Sequence, residues 1–387
     1  MRLLVWQEQF WPQIGGIEVL ATKLFSSLRQ RGYEISVVTR QDRLDLPKQG
    51  QYQGVAIYRY PIWAAITRRD IDQIVEIRRH IKELKRAFQP DLIHNNGLGP
   101  SALFQLDTVD AHVVPSLVTL HTTLKSVIPM RVRQDALFKR TLLAANWVTC
   151  VSTAVLDEAR QLVPEIRLRS SVTYNGLDFS APPPAPLPFN VPRILCLGRL
   201  IRDKGFDLAL RAFASLADHM PGLRLVIAGD GPARSSLEDL AVELGLQDSV
   251  EFLGWVSPDN VPALMNSATL VVMPSRREGL PGVALEAALM ARPVVATTVG
   301  GVPEVVLHHK TGLLVAQDDQ EALAEAILFL LTHPATATAF GQAARRRAQE
   351  VFSFERYVDA YDALYQRILV RSGRSPKNLR VNPPALT

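Results

Sequence analysis

Cysteine is scarce in this sequence, and long hydrophobic runs are missing from it. The 387 residues include only two cysteines, Cys150 and Cys196. Each lies inside an apolar run, so we expect buried thiols in a reducing compartment rather than a disulfide. No run of 18 apolar residues occurs, which excludes a continuous apolar membrane span, and the apolar stretch at the amino terminus is too short for a signal peptide. These absences predict a cytoplasmic protein.

The sequence also lacks the patterns by which proteins recognise nucleic acids. Aromatic residues make up only 7% of the chain and are not interleaved with basic residues, and zinc-finger spacing does not occur. We therefore expect no nucleic acid partner. The net charge of +5 is uneven, because residues 1–180 have 23 Lys+Arg against 17 Asp+Glu, whereas residues 181–354 have 14 against 18. This asymmetry predicts that the amino-terminal half alone binds an anionic partner.

An anionic membrane surface is one candidate for that partner. Residues 62–88 carry Trp63 and seven Lys+Arg against four Asp+Glu, and residues 124–140 add five cations beside Ile128 and Met130. Basic amphipathic surfaces of this kind bind anionic head groups. The pattern fits peripheral contact at the inner face of a membrane and fits a solvated helix face equally well.

The length and the hydrophobic pattern predict two α/β domains. Short apolar strands alternate with helical segments throughout, which is typical of βαβ units and parallel sheets. The six prolines of residues 180–192 indicate an extended connector. We predict domains over 1–180 and 190–354, a final helix at about 355–371 that packs back on the first domain, and a disordered tail over 372–387.

Two strand–helix connections have the composition of anion sites. In "WPQIGG", Gly15 and Gly16 expose backbone amides at the start of a helix, although a simple turn explains them as well. In "GRLIRDKG", Arg199 and Lys204 follow the first strand of the second domain. A guanidinium and an ammonium suit a diphosphate, and two solvated loop cations are the alternative.

No stretch of the sequence predicts a metal site. "HHKTG" at 308–312 has adjacent histidines and no third ligand nearby, so a turn is expected there. "DID" at 70–72 lies within a charged helical stretch and reads as a solvated helix face. We expect the protein to work without a metal or other cofactor.

"EGLPGVALEA" places two glutamates eight positions apart, around a helix expected to begin near Pro281. Glu278 could cap that helix, and Gly279, Leu280 and Gly282 present bare amides. Capping leaves Glu286 unexplained, because it is a charged residue in an apolar helix face. A carboxylate there needs a partner, and vicinal hydroxyls of a sugar or ribose supply two donors.

Taken together, these motifs resemble a known family. "GG" at 15–16, "YNGLD" at 174–178, "GRLIRDKG", "AGDGP", "FLGWV" and the Glu278…Glu286 pair followed by "GGVPEVV" are similar to motifs of the retaining, metal-independent glycosyltransferases of family 4. The resemblance implies the GT-B fold, an α/β architecture of two Rossmann-like, doubly wound parallel-sheet domains that face each other across a cleft.

The resemblance also implies roles for individual residues. A nucleoside-diphosphate sugar would bind mainly to the carboxy-terminal domain, and an acceptor saccharide or lipid-linked saccharide to the amino-terminal one. Its diphosphate would be held by Arg199 and Lys204, with Gly16 closing from the amino-terminal domain. At the ribose the resemblance implies Glu286. At the sugar it implies Glu278 and the backbone of Gly279, Leu280, Pro281 and Gly282, and it places His121 of "TLHTT" near the transferred sugar. Glu304 has a less certain place.

Departures from the family pattern bear on the donor. "HTT" replaces the commoner histidine followed by aspartate or glycine, and "EGLPG" has leucine and proline where many members have phenylalanine and glycine. We expect UDP-glucose first and GDP-mannose next, with retention by a front-face mechanism. A sugar-nucleotide epimerase and a non-catalytic binding protein of similar fold are the rival functions.

Overall fold

The computed structural model describes residues 1–12, 15–41, 45–123, 137–178, 182–217 and 219–374. The chain divides into two compact units. Unit 1 is Met1–Thr173 together with the chain from Tyr357, and unit 2 is Tyr174–Arg356. The predicted tail lies mostly outside the described residues.

Unit 1 is built on an eight-stranded sheet in the order β3-β4-β2-β1-β5-β6-β7-β8. Its strands are β1 Arg2–Trp6, β2 Glu34–Arg40, β3 Gln49–Tyr52, β4 Val55–Tyr60, β5 Leu92–Asn96, β6 Ser116–Leu120, β7 Trp147–Cys150 and β8 Ser170–Val172. Its helices are α1 Gly16–Gln30, α2 Ile62–Arg68, α3 Ile71–Phe88, α4 Ser101–Asp107, α5 Leu137–Ala144 and α6 Thr153–Leu162. The central strands β1, β5 and β6 are buried almost throughout, as strands in the middle of a sheet covered on both faces are, although β5 ends in three buried polar residues, His94, Asn95 and Asn96.

The pairing is parallel except at one edge, where β3 runs antiparallel to β4. The two strands are joined by Gln53 and Gly54, whose φ values of 47° and 77° lie in the left-handed region that a tight hairpin needs. The sequence analysis did not predict this hairpin. Gln-Gly is a weaker turn signal than Asn-Gly, and β3 itself is polar.

The charged stretch expected to form one helix is broken into two. Helix α2 ends at Arg68, and Arg69 takes a left-handed φ of 54°. Asp70 then caps α3 by accepting a hydrogen bond from the Gln73 amide at 3.0 Å. The first aspartate of "DID" is therefore a helix cap, whereas we predicted a residue on a solvated helix face.

Unit 2 has a six-stranded, fully parallel sheet in the order β11-β10-β9-β12-β13-β14. The strands are β9 Arg193–Leu197, β10 Arg224–Ala228, β11 Val250–Gly254, β12 Leu270–Met273, β13 Val294–Thr297 and β14 Gly312–Val315. The helices are α7 Phe206–Ala217, α8 Arg234–Glu243, α9 Val261–Asn266, α10 Gly282–Leu289, α11 Val302–Val305, α12 Gln320–Thr332 and α13 Pro334–Val351. Apolar residues of β9, β10, α7 and α12 form its core. The prediction of two α/β units with parallel sheets is confirmed.

The proline-rich segment is extended but packs along unit 2. The Ala185 amide donates to Asn266 Oδ1 at 3.0 Å, and the buried Arg292 guanidinium donates to the Ala185 carbonyl at 2.6 Å. Leu187 and Phe189 pack against the core of the same unit. The division between units falls at Thr173, ahead of the prolines, because this segment has partners along its length.

The last helix, α14 Phe354–Arg371, contributes a row of tyrosines to unit 1. The Tyr365 hydroxyl lies 2.9 Å from His94 Nδ1, and the Tyr361 hydroxyl lies 3.1 Å from Thr119 Oγ1. Both tyrosines are fully buried. The carboxy-terminal helix thus completes the core of the unit that the amino terminus begins.

Within the described ranges, no single helix is long and apolar enough to cross a membrane. Helices α12 and α13 pass such a test only as a pair, bent by 101°. Their apolar side chains, including Leu323, Ile327 and Leu330, belong to the core of unit 2.

Candidate active site

The carboxyl ends of β9 and β10 are joined by glycines that bring backbone close to backbone. The Gly198 amide donates to the Ala228 carbonyl at 2.9 Å. Gly229 has a φ of 137°, and a side chain there would collide with the Gly198 carbonyl oxygen. Gly231 is equally constrained by the Leu200 carbonyl. "GRL" and "AGDGP" therefore form one packed edge, at the sheet end where α/β proteins bind ligands.

Lys204 and Glu278 meet at this edge. Lys204 Nζ lies 2.7 Å from Glu278 Oε1, and the Ser275 hydroxyl donates to the same oxygen at 2.8 Å. The Lys204 side chain is 24% exposed and that of Glu278 is 9% exposed. The two residues predicted for separate parts of a donor are thus joined in a half-buried ion pair.

Glu278 does not cap the following helix. Helix α10 begins at Gly282 with Pro281 as its N-cap residue, and no side chain caps it. The backbone of Glu278 instead abuts Gly300, whose φ of 50° and missing side chain allow the contact. Because the Gly301 amide also donates to the Gly279 carbonyl at 3.1 Å, the "GG" after β13 fixes the loop that carries Glu278.

Arg276 holds the neighbouring loop in place and was missed by the sequence analysis. Its guanidinium pairs with both carboxylate oxygens of Asp207 at 2.8 and 2.7 Å, with Asp318 at 2.8 Å, and with the Arg202 carbonyl at 2.9 Å. Hydrogen bonds to Asp207 raise the pKa of Arg276, and the same contact lowers the pKa of Asp207. The helical turn that ends at Lys204 is thereby anchored.

Sequence alone held only a weak signal for this scaffold. Ser275 and Glu278 have the S-x-x-E spacing of a capping box, which predicts a local contact between them. The observed bond joins the two side chains. Nothing in the spacing indicates Asp207 or Asp318, which lie 69 and 42 residues from Arg276.

Two groups at the same edge have no partner among the residues that the structure describes. Arg199 is exposed and makes no ion pair. Glu286, on α10, is half-buried among apolar neighbours, and desolvation raises the pKa of its carboxyl to about 7. A free cation and a carboxylate without donors are the groups that a bound anion and a bound diol would satisfy.

The loop between the glutamates is tightly packed at one end and open at the other. Gly279, Leu280 and Pro281 are buried, whereas Gly282 is exposed and has open space where a side chain would be. The structure thus places Arg199, Lys204, Glu278, residues 279–282 and Glu286 along one end of the sheet of unit 2.

Unit 1 carries the remaining predicted residues. His121 follows β6, and its Nε2 lies 2.8 Å from Asn96 Oδ1 at the end of β5. Asn96 Nδ2 in turn donates to Gln7 Oε1 at 3.1 Å, directly after β1. Burial lowers the pKa of His121 to about 4, so the imidazole is neutral at physiological pH. Three adjacent strand ends therefore meet in one neutral polar cluster.

Gly15 and Gly16 lie at the start of α1, where Gly15 is the N-cap residue. Both are exposed, and a side chain at Gly16 would meet no atom of the described residues within 4 Å. Glu304 of unit 2 accepts a hydrogen bond from the Tyr174 hydroxyl at 2.9 Å. That contact gives Glu304 a structural partner within its own unit.

No group of three His, Cys, Asp or Glu residues in the described part of the chain could hold a metal ion. His308 and His309 stack with ring centroids 4.0 Å apart, and His308 Nδ1 accepts from the Leu314 amide at 2.9 Å. Both cysteines are buried and unbonded. Burial raises the pKa of Cys150 to about 12, so its thiol is unreactive at neutral pH.

Two family models match the chain one after the other. Residues 14–181 match the model described as "Glycosyltransferase Family 4", and residues 183–347 match "Glycosyl transferases group 1". D-inositol 3-phosphate glycosyltransferase from Mycobacterium avium is 30% identical over 386 residues, which cover 92% of this chain and 89% of that protein. The chain belongs to glycosyltransferase family 4. It is therefore a glycosyltransferase, and the recognition made from the sequence motifs is confirmed.

Similar proteins of this family differ in what their names say they use. GDP-mannose-dependent alpha-(1-6)-phosphatidylinositol monomannoside mannosyltransferase from Mycobacterium tuberculosis is 39% identical over 161 residues, covering 40% of this chain and 42% of that protein. Sucrose-phosphate synthase from Thermosynechococcus elongatus superposes with a TM-score of 0.84 at 22% identity, over 96% of this chain and 99% of that one. HepE from Anabaena, solved with UDP-glucose, gives 0.76 at 20% identity, over 96% and 99%. These likenesses confirm the GT-B fold class.

Proposed function

We propose that this family 4 glycosyltransferase moves a hexose, glucose first, from UDP-glucose to a saccharide or lipid-linked saccharide with retention of the anomeric configuration. The observation that carries the proposal is the Lys204–Glu278 pair at the strand ends of unit 2, flanked by Arg199 and Glu286, which have no side-chain partners among the described residues. The two cations suit a diphosphate, the carboxylate of Glu278 suits a sugar, and the carboxylate of Glu286 suits a ribose.

The proposed mechanism assigns the charge that develops during transfer to the cations. As the sugar departs, negative charge grows on the leaving diphosphate, and Arg199, Lys204 and the loop amides stabilise it. Glu278, which is paired with Lys204, accepts hydrogen bonds from the sugar hydroxyls. The ion pair therefore connects the residue that binds the sugar to a residue that binds the leaving group. The leaving phosphate takes the proton of the acceptor hydroxyl on the same face. No residue then has to act as a nucleophile.

The donor can be tested by supplying UDP-glucose and GDP-mannose separately, each labelled in the sugar, with lipid-linked saccharides as acceptors. We expect acceptor-dependent release of UDP and label in the acceptor. A mannosyltransferase, favoured by the similarity over 161 residues to the GDP-mannose-dependent enzyme, would release GDP instead. Conversion of the labelled sugar without any acceptor would reveal an epimerase and refute the transfer of glucose.

We further propose that transfer needs no metal. The cations at the strand ends supply the positive charge that a divalent ion would otherwise supply. Activity should survive excess EDTA at the rate of an untreated sample. Loss of activity that manganese or magnesium restores would contradict this assignment.

Peripheral contact with an anionic membrane is the third part of the proposal. Trp63 is 53% exposed, and Ile71 and Val75 are 73% and 56% exposed. Arg68 and Arg69 are exposed and have no partner in the described ranges. This surface of α2 and the start of α3 combines apolar side chains with free cations, as membrane-surface helices do.

The structure reduces the number of cations available for that contact. Lys85 is fully buried, Arg78 pairs with Asp107, and Lys82 pairs with Asp110 at 2.7 Å. Most of the second basic segment, residues 124–136, lies outside the described residues. Because each well-placed cation contributes about 1 kcal/mol, binding should be weak and lost at high salt. Co-sedimentation with phosphatidylserine vesicles tests this, with Trp63→Ala as the variant and Trp255→Ala, exposed on unit 2, as the control. Equal sedimentation of both variants would refute it.

A further inference from the structure

The polar cluster at the strand ends of unit 1 determines the direction of its hydrogen bonds. Asn96 is 5% exposed and Gln7 is 3% exposed, so neither amide exchanges its partner for bulk water. Asn96 donates from Nδ2 to Gln7 Oε1, which leaves Asn96 Oδ1 facing His121 Nε2. An amide oxygen can only accept a hydrogen bond. With both amides in this orientation, Nε2 of His121 carries the ring proton.

The other ring nitrogen then holds a lone pair. His121 Nδ1 is buried and has no hydrogen-bond partner among the described residues. A buried acceptor without a donor costs free energy, which a ligand that supplies a donor recovers. The neutral state of the ring is consistent with its lowered pKa, to which burial contributes most.

We propose that Asn96, oriented by Gln7, is a positioning residue that fixes His121 in the Nε2–H tautomer, so that Nδ1 accepts a hydrogen bond from a hydroxyl of the transferred sugar. The tautomer follows from the geometry of unit 1 alone. The contact with the sugar rests on the proposed function. In this arrangement His121 favours a neutral hydroxyl, which can donate a hydrogen bond to Nδ1. It disfavours a carboxylate, because the carboxylate oxygens only accept hydrogen bonds and would be repelled by the lone pair of Nδ1.

The first test is made on the ligand-free wild-type protein. Selective 15N-histidine labelling and a two-bond 1H–15N correlation spectrum at pH 7 distinguish protonated from bare ring nitrogens, and His121 is assigned by its missing signal in His121→Asn. We expect a proton on Nε2 and a bare Nδ1. A proton on Nδ1, which would arise if both amides were turned over together, would overturn the proposal.

Variants test whether Gln7 and Asn96 set the tautomer. Asn96→Asp places a carboxylate against the Nε2–H of His121. Because the negative charge stabilises the imidazolium, Nδ1 of His121 should also be protonated at pH 7. Gln7→Leu removes the acceptor that orients Asn96 and should produce both tautomers. Thr149→Val is the matched control, since it breaks a buried 2.8 Å hydrogen bond to Thr173 in the same sheet without contact to the cluster. It should lower Tm and leave the His121 spectrum unchanged.

If Gln7→Leu shows only the Nε2–H tautomer of His121, then Gln7 does not orient Asn96, and the role proposed for Gln7 is wrong. Melting curves confirm that each variant is folded.

Donor discrimination tests the contact with the sugar. The wild type should have a higher kcat/KM for UDP-glucose than for UDP-glucuronate. In Asn96→Asp the ratio of the two kcat/KM values should decrease about tenfold, because the protonated Nδ1 of His121 can donate a hydrogen bond to the carboxylate of glucuronate. Thr149→Val should keep the wild-type ratio. If the spectra match the expected tautomers but the ratio does not move, the proposed contact between His121 and the sugar is wrong. If the spectra themselves disagree, the positioning role of Asn96 is wrong whatever the activity.

Discussion

The strand ends around Lys204 in unit 2 are built from ion pairs, whereas the cluster of Gln7, Asn96 and His121 at the strand ends of unit 1 is built from neutral groups. In unit 2, Lys204 pairs with Glu278, and Arg276 pairs with Asp207. In unit 1, burial lowers the pKa of His121 to about 4 and that of His94 to about 3, so both rings are uncharged at neutral pH. The same type of sheet edge thus has two different electrostatic designs.

The difference indicates which kind of ligand each sheet edge can bind. Burying a charge is costly unless it is paired, and the pairs in unit 2 keep cations close to a site where an anion can join them. Neutral amides and imidazoles cost less free energy to bury than charged groups do. They bind a hydroxyl by directing a lone pair at its proton. A diphosphate fits the first design and a sugar hydroxyl fits the second.

The largest effect should come from removing the cation of the unit 2 pair. In the proposed mechanism Lys204 stabilises charge in the transition state more than in the ground state, so kcat of Lys204→Ala should fall about 10²- to 10³-fold. Steady-state kinetics with the identified donor measure the loss. Lys310→Ala, an exposed lysine of the same unit, is the control. Transfer by Lys204→Ala at the parental rate would remove Lys204 from the mechanism.

A second substitution changes the carboxylate and keeps its shape. Glu278→Gln loses the charge that pairs with Lys204 but retains an oxygen for the Ser275 hydroxyl, so both rate and discrimination between donor sugars should decrease. Affinity for free nucleoside diphosphate, measured by calorimetry, should change little, since the proposal assigns the phosphates and ribose to other residues. Tenfold weaker binding of the nucleotide by Glu278→Gln would show that Glu278 serves the leaving group.

The neutral design of unit 1 can be probed at Thr119. Its hydroxyl lies 2.8 Å from His94 Nε2 and 3.1 Å from the Tyr361 hydroxyl, and the residue is fully buried. Thr119→Val removes the partner of His94 Nε2 and one partner of the Tyr361 hydroxyl, and should cost about 1–3 kcal/mol of stability. Thermal melts should show the same decrease in Tm at low and high salt.

Arg276→Met supplies the contrast in unit 2. Its partners Asp207 and Asp318 have side chains 40% and 49% exposed, so salt screens these pairs. The decrease in Tm for Arg276→Met should shrink at high salt. A salt-dependent loss for Thr119→Val, or a salt-independent one for Arg276→Met, would contradict the distinction between the two units.

The smallest effect concerns the carboxylate of unit 2 that has no donor. The pKa of Glu286 in the folded protein is about 7, above the ordinary 4.5, so between these pH values the folded state keeps a proton that the unfolded state has released. Wild-type stability should therefore fall as pH rises through this window. Glu286→Gln should match the wild type near pH 4.5 and have a higher Tm at pH 8.

Glu251→Gln, on an exposed position of β11, is the control and should leave the pH dependence of Tm unchanged. An identical pH profile for Glu286→Gln and the wild type would show that the Glu286 carboxyl is not desolvated. With nucleotide bound, the stabilisation gained by Glu286→Gln should reverse, because the glutamine is a poorer acceptor for two ribose hydroxyls.

Prediction from sequence succeeded where the signal was local. Strand runs such as "LRLVIA" and the helix that follows Pro281 could be recognised because periodicity and turn chemistry act over a few residues. It failed at the break after Arg68 and at the Gln53–Gly54 hairpin. In both places residues with a left-handed φ outweighed the composition of the surrounding stretch, and at the break after Arg68 the Asp70 cap added to that effect.

By itself the sequence determined the α/β class, the family motifs and the chemical types of residue at each strand end, because these depend on local pattern and spacing. Only the tertiary structure decided which charges neutralise one another. Lys204 and Glu278 are 74 residues apart, and Asn96 and Gln7 are 89 apart. The order of strands in a sheet determines which strand ends adjoin, and no local pattern encodes that order. The ion pair of Lys204 and Glu278 in unit 2 and the neutral cluster of Gln7, Asn96 and His121 in unit 1 are therefore properties of the folded sheets.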